Sequence, residues 1–177
     1  MRETTLSITP AFQGRLLSVE TLQVELEPGV RAHREIVRHP GAIAAVARLP
    51  DGRFVFVRQF RKAAERELLE IIAGSREPGE APDVCATREI KEESGHDVTS
   101  LQPLGLIYPA PGYTDEVIHL YAADVSERRE SPQGDPDERI TVEYLTAEEF
   151  ETLAAGGMIE DGKTLAAWLL FKLRRTP

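Results

Sequence analysis

The sequence predicts an α+β fold: strands dominate the first part, one helix sits at the centre, and two helices close the chain. Two-residue alternation in residues 53–60 argues for a strand, with Phe54, Phe56 and Arg58 on one face and Val55, Val57 and Gln59 on the other. Residues 82–94 carry paired helix start and stop signals, Pro82 at the first helical position and Gly95 just past the end. Thr146-Ala147-Glu148-Glu149 has capping-box spacing.

In chain order, residues 16–26 and 31–38 read as a hairpin around Glu27-Pro28-Gly29. Residues 42–49 and 53–60 form a second hairpin, joined through Asp51-Gly52. Residues 68–72 are a short apolar strand closed by Gly74, and 75–80 form a loop turning at Pro78-Gly79. The central helix follows, with Asp83 suiting its first turn. Strands are expected at 101–108, 117–123 and 140–145, with a charged exposed loop over 126–139. Helices are expected at 146–155 and 163–174. No repeat or linker marks a second domain.

Bulk properties narrow the function. The chain has 177 residues, 41% hydrophobic and 29% charged, which suits a soluble globular domain. Its formal charge of −9 argues against nonspecific nucleic-acid binding, which needs a basic surface. An anionic substrate would need local arginine, lysine or metal to reverse that field. The apolar stretches 42–47 and 165–171 are too short to span a bilayer. Met1-Arg2-Glu3 leads into no apolar signal segment. The single cysteine, Cys85, precludes an intrachain disulfide, so a cytoplasmic setting is expected.

The informative constellation lies on the central helix. Glu89, Glu92 and Glu93 are spaced by three and four residues, so they share one face. They also occupy the helix's negative C-terminal end. A like-charge i,i+4 pair there costs about 0.2–0.5 kcal/mol, which Arg88 partly offsets from four residues before Glu92. By themselves the glutamates fit a solvated acidic face. A solvated face is the commoner case, and the same spacing also fits a hard divalent cation, which prefers oxygen ligands and bridges carboxylates to phosphates.

Gly74, Glu80, Arg88, Glu89, Glu92, Glu93 and Gly95 form the pattern G-x5-E-x7-R-E-I-x-E-E-x-G. This resembles the Nudix box of the Nudix hydrolases; His96 departs from it, standing where the family usually has an apolar residue. The resemblance implies an α/β/α sandwich around a mixed sheet, with a loop–helix–loop that binds two or three Mg²⁺ or Mn²⁺ ions. By position, Glu89, Glu93 and Glu92 resemble the metal-ligating carboxylates, and Ala73 a backbone-carbonyl ligand. Glu80 and Arg88 resemble the residues that orient the helix and its carboxylates.

Outside the box, Val57-Arg58-Gln59-Phe60-Arg61, Glu67-Leu68-Leu69-Glu70-Ile71-Ile72-Ala73-Gly74 and Pro109-Ala110-Pro111-Gly112-Tyr113-Thr114-Asp115-Glu116 resemble the ADP-ribose pyrophosphatase branch. The resemblance implies that Pro111 marks ADP-ribose specificity, that Arg61 meets the diphosphate or the base-side ribose, and that Glu116 meets ribose hydroxyls. Glu70 is either substrate-facing or supports such residues. On local chemistry alone Pro111 is a stiff turn residue and Arg61 a solvated strand end. The resemblance also implies that the base for the attacking water lies in a loop before a strand, where Glu138 matches best, with Asp137 and Asp135 as alternates. Residues 1–40 resemble the strand extension that relatives use to dimerise, and 41–177 the hydrolase domain, so a homodimer is expected.

The expected reaction is hydrolysis of ADP-ribose to AMP and ribose 5-phosphate. Alternatives are another nucleoside diphosphate conjugate such as a GDP-sugar, a nucleoside triphosphate, or a non-catalytic ligand-sensing module. Cys85 is expected to be a buried thiol rather than a nucleophile, and His33, His39, His96 and His119 lack metal-ligand spacing.

Overall fold

The computed structural model describes residues 2–131 and 139–175. The chain divides into two compact units, residues 1–41 with 108–117, and residues 42–107 with 118–177.

The first unit is an antiparallel sheet in the order β1 (Glu3–Gln13), β2 (Ser18–Leu26), β3 (Val30–Arg38). The β2–β3 hairpin turns at Gly29, with φ of 96°, as Glu27-Pro28-Gly29 predicts. β1 was not expected. Leu6, Ile8 and Phe12 do alternate, but Pro10 interrupts them, and the pairing with β2 shifts register between Pro10 and Phe12. Segment 108–117 joins this unit by backbone bonds: Val37 N–H donates to the Tyr113 carbonyl (2.7 Å) and Asp115 N–H to the Val37 carbonyl (3.1 Å).

The second unit is a seven-stranded mixed sheet. Its main path runs β10 (Ile140–Leu145), β5 (Phe54–Arg61), β4 (Ala42–Arg48), β9 (Ile118–Arg129), β8 (His96–Ile107). β6 (Arg66–Glu70) pairs with β5, and β7 (Ile72–Ser75) with β4. β4 and β9 are parallel, which makes the sheet mixed. The alternation in β5 sorts its side chains between two cores. Phe54 and Phe56 enter one with Phe150 of α2 (Ala147–Ala155) and Trp168 and Phe171 of α3 (Gly162–Arg175). Val55 and Val57 enter the other with Cys85, Ala86 and Ile90 of α1 (Pro82–Ser94). Helices thus cover both faces of the sheet. Phe56 stacks on Phe150 at 4.7 Å, a contact that adds about 0.5–1.5 kcal/mol beyond area burial.

Two expectations are corrected. Residues 68–72 are not one strand: the run breaks at Ile71, whose buried N–H leaves the sheet and donates to Thr164 Oγ1 (2.9 Å). Residues 126–129 are strand rather than loop, because β9 continues to Arg129, which pairs with His96 at the start of β8. The charged run Ser126-Glu127-Arg128-Arg129 hides a pairing set by its partner strand.

Candidate active site

Local sequence fixes α1 at both ends. Pro82 opens it with the φ a helix needs, and Gly95 closes it at φ 75°, donating its N–H to the Lys91 carbonyl (2.8 Å). A Cβ on Gly95 would also lie 2.1 Å from the Glu130 carbonyl oxygen, so glycine is required twice over. Ile90, Cys85 and Ala86 are buried on the sheet side. The next residue, His96, is buried and satisfied, with Nδ1 2.7 Å from the Ser126 carbonyl and Nε2 3.0 Å from the Tyr144 hydroxyl. Those contacts explain a polar residue at a position expected to be apolar.

The carboxylates of the box meet at one guanidinium. Arg88 donates through Nε and Nη2 to Glu80 (2.9 and 3.0 Å), and through Nη1 to both Glu89 Oε1 and Glu92 Oε2 (2.8 Å each). Its Nη2 also reaches the Ser75 carbonyl at 3.3 Å. The hydrogen bond from Arg88 holds the Glu80 carboxyl at about 2 despite burial, helped by the Glu77 N–H. Arg88 in turn is pushed further above its ordinary value, chiefly by Glu80. Glu89 packs directly on β7: a Cβ on Gly74 would fall 1.9 Å from the Glu89 carboxyl carbon. Ala73 is the preceding residue of that strand, and Glu93 is 5% exposed beneath the same helix face.

This donor set fits a divalent cation. One guanidinium gathers Glu80, Glu89 and Glu92, Glu93 lies beside them, and Lys91 faces away to Asp97 and Glu130. Gly74 leaves the strand bare where Glu89 lies. Among the described residues, no group of three or more His, Cys, Asp or Glu side chains is arranged to hold a metal ion by itself. An ion that keeps several waters does not require such a group. Ala73, Glu89, Glu92 and Glu93 are the residues available to hold it.

A second charged cluster lies on β5, β6 and the start of α3. Arg61 Nε and Nη2 donate side-on to Glu70 (2.7 Å each), and Lys163 Nζ donates to Glu70 Oε2. Glu70 is 1% exposed. Burial pushes its carboxyl up, but Arg61 and Lys163 outweigh this and hold it below the usual range. Arg61 is held above its ordinary value, first by the hydrogen bond to Glu70 and in smaller part by the charge of Glu93. Lys163, Asp161 and Thr164 were not singled out in the sequence. The Asp161-Gly162-Lys163-Thr164 spacing signals only a helix start, since Asp161 Oδ2 accepts from the Thr164 N–H (3.0 Å) as a cap.

Pro111 and Glu116 belong to the first unit. Pro111 occupies a turn in which Tyr113 N–H donates to the Ala110 carbonyl (3.2 Å), as Pro-Gly chemistry predicts. The Glu116 carboxylate is 3.8 Å from His39 Nδ1. Glu138, Asp137 and Asp135 lie outside the described residues. Cys85 is fully buried and its thiol is pushed up to about 12 by burial, then by Glu80, so it is no nucleophile.

Fold and site together define a class: an α/β/α sandwich that presents a glycine-framed, carboxylate-lined helix suited to metal-assisted chemistry on phosphates. The NUDIX domain matches residues 37–169. The chain is 35% identical over 175 residues to an ADP-ribose pyrophosphatase of Bacillus subtilis (strain 168), covering 98% of this chain and 95% of that protein. It is 39% identical over 166 residues to a methanol dehydrogenase activator of Bacillus methanolicus, covering 93% and 90%. A GDP-mannose pyrophosphatase of Yersinia enterocolitica is 34% identical over 145 residues, covering 77% and 75%. A solved structure described as an ADP compounds hydrolase superposes with a TM-score of 0.83 at 24% identity, covering 97% of this chain and 93% of that one. The chain belongs to the Nudix family. Among the described residues, no helix is long and apolar enough to cross a membrane.

Proposed function

We propose that this chain hydrolyses the diphosphate linkage of ADP-ribose to AMP and ribose 5-phosphate, with two or three Mg²⁺ or Mn²⁺ ions as cofactor. One observation carries the reading: the α1 carboxylates gathered on Arg88 against Gly74, in a chain 35% identical over 98% of its length to a protein named ADP-ribose pyrophosphatase. Ala73, Glu89, Glu92 and Glu93 would hold the ions. When bound, divalent cations neutralise phosphoryl oxygens and make water a better nucleophile. Glu80 fixes Arg88, and Arg88 keeps Glu89 and Glu92 on one side of the helix. Arg61 offers its Nη1 edge to the diphosphate, because Glu70 occupies the other two nitrogens. Glu138 takes the proton of the attacking water. The water oxygen bonds to one phosphorus as the bond from that phosphorus to the bridging oxygen breaks, and the bridging oxygen leaves with the other phosphate. Pro111 is proposed to mark ADP-ribose specificity, and Glu116 to meet ribose hydroxyls.

The test is a panel of ADP-ribose, GDP-mannose, other nucleoside diphosphate conjugates and nucleoside triphosphates, assayed with Mg²⁺ or Mn²⁺ and with products identified by mass. ADP-ribose should give AMP and ribose 5-phosphate with the highest kcat/KM. A GDP-sugar preferred over ADP-ribose, pyrophosphate release from a triphosphate as the main activity, or no metal-dependent turnover overturns the reading.

Residues 1–40 are proposed as a strand extension for homodimerisation and 41–177 as the hydrolase domain. The support is β1, which is exposed along its whole length and carries the apolar residues Leu6, Ile8 and Phe12. Sedimentation should give a dimer that Phe12→Glu weakens; a monomer in the unsubstituted protein refutes this. The proposed setting is the cytoplasm, acting on a small molecule without nucleic acid or membrane.

A further inference from the structure

We propose that Lys163 is a positioning residue for Arg61: by neutralising the buried Glu70 carboxylate from the start of α3, it leaves the Arg61 guanidinium's outer edge and charge available to a diphosphate. This rests on the reading of Arg61 as a diphosphate contact.

Glu70 is buried at the end of β6, where a carboxylate with a single cation would draw that cation's charge wholly to itself. Arg61 binds it side-on through Nε and Nη2, the two-bond geometry that fixes the plane of a guanidinium. Among the described residues, Nη1 has no hydrogen-bond partner, and the Arg61 side chain is 38% exposed. Lys163 supplies the second cation, bonded to the Glu70 oxygen that Arg61 Nη2 also uses.

Lys163 itself is held rigidly. It sits in the first turn of α3, paired to Asp161 at 3.1 Å. Asp161 also accepts from the Thr164 hydroxyl (2.6 Å) and N–H (3.0 Å). That hydroxyl accepts the Ile71 N–H, the residue after Glu70. The α3 start therefore grips the β6–β7 break twice: through charge at Glu70 and through a neutral hydrogen bond at Ile71. Only the first grip bears on Arg61, which makes the two separable by mutation.

Three variants test this: Lys163→Gln, Lys163→Arg and Thr164→Ala. Lys163→Gln should raise KM for ADP-ribose about tenfold with kcat within about twofold, since the α1 carboxylates are untouched. Lys163→Arg should restore KM. Thr164→Ala should lower Tm with KM unchanged. Binding of a methylene-bridged, non-hydrolysable ADP-ribose analogue, measured by calorimetry, should follow the KM pattern. The Arg61 Nε–H resonance, assigned by its loss in Arg61→Lys, should move in Lys163→Gln without any ligand. Unchanged KM and an unmoved Arg61 resonance in folded Lys163→Gln overturn the proposal, as does an equal KM rise in Thr164→Ala. If Lys163→Gln does not fold, Lys163→Met, which keeps the apolar stem, replaces it. A moved resonance in a protein whose wild type binds no diphosphate analogue would refute the role given to Arg61 while leaving its coupling to Lys163 intact.

Discussion

Gly74→Ala separates the site from the fold. The added Cβ would lie 1.9, 2.1 and 2.3 Å from the three carboxyl atoms of Glu89, far inside van der Waals contact. Those atoms end a flexible side chain, so Glu89 swings away and the backbone stays. Gly74 is not among the glycines with positive φ, and alanine suits a strand better than glycine by about 0.5–1 kcal/mol. The displaced rotamer costs a similar amount, about 0.5–1.5 kcal/mol. Stability should therefore change by less than about 1 kcal/mol, a Tm shift of about 2–4 °C for a chain of this size. Moving a carboxylate from its bound orientation should cost at least about 10–100-fold in metal affinity. The assay pairs a thermal melt with Mn²⁺ titration and ADP-ribose turnover at varied Mg²⁺. A folded Gly74→Ala protein with wild-type metal affinity and turnover would refute the placing of Glu89 at the metal.

Glu93→Gln should leave the melt close to wild type and cut turnover about a thousandfold, the scale of several kcal/mol of lost metal electrostatics; near-normal kcat in steady-state assays would contradict this. Glu80 has a folded pKa of about 2 against an ordinary 4.5. Its stabilisation is therefore complete above about pH 4.5 and lost as pH falls toward 2. Urea melts should show wild type more stable than Glu80→Gln at pH 6, with the gap closing across that window; a constant gap would argue against the Arg88 pairing. Cys85, buried with its thiol at about 12, should resist a thiol reagent at pH 8 until the protein is unfolded; fast labelling of the native protein would show the α1 packing to be wrong.

The parts of the fold legible in the sequence are those that local chemistry determines. Pro82 and Gly95 bound α1 at the residues expected, and Thr146 with Glu149 forms the capping box that opens α2. β5 was readable as a short run after the Asp51-Gly52 turn, and its apolar stretch Phe54–Val57 is continuous because helices cover both faces of the sheet. What was not legible depends on distant partners. β9 runs through charged residues because β8 pairs with it, and the strand break at Ile71 exists because Thr164 takes its N–H. The glutamate spacing disclosed the shared helix face, and Arg88 was expected to offset Glu92. Its simultaneous grip on Glu80 and Glu89 needed the loop folded back beside the helix. The Lys163–Glu70–Arg61 cluster joins α3 to β5 and β6, and no local spacing announces such a contact.

The central claim is that the α1 carboxylates hold divalent cations beneath a diphosphate. Its most direct test is a crystal structure with Mn²⁺ and a non-hydrolysable ADP-ribose analogue, with the metal located by anomalous scattering. The account predicts peaks coordinated by Glu89, Glu93 and the Ala73 carbonyl, with the diphosphate against them. Manganese located only away from these residues, with the analogue bound, would contradict it.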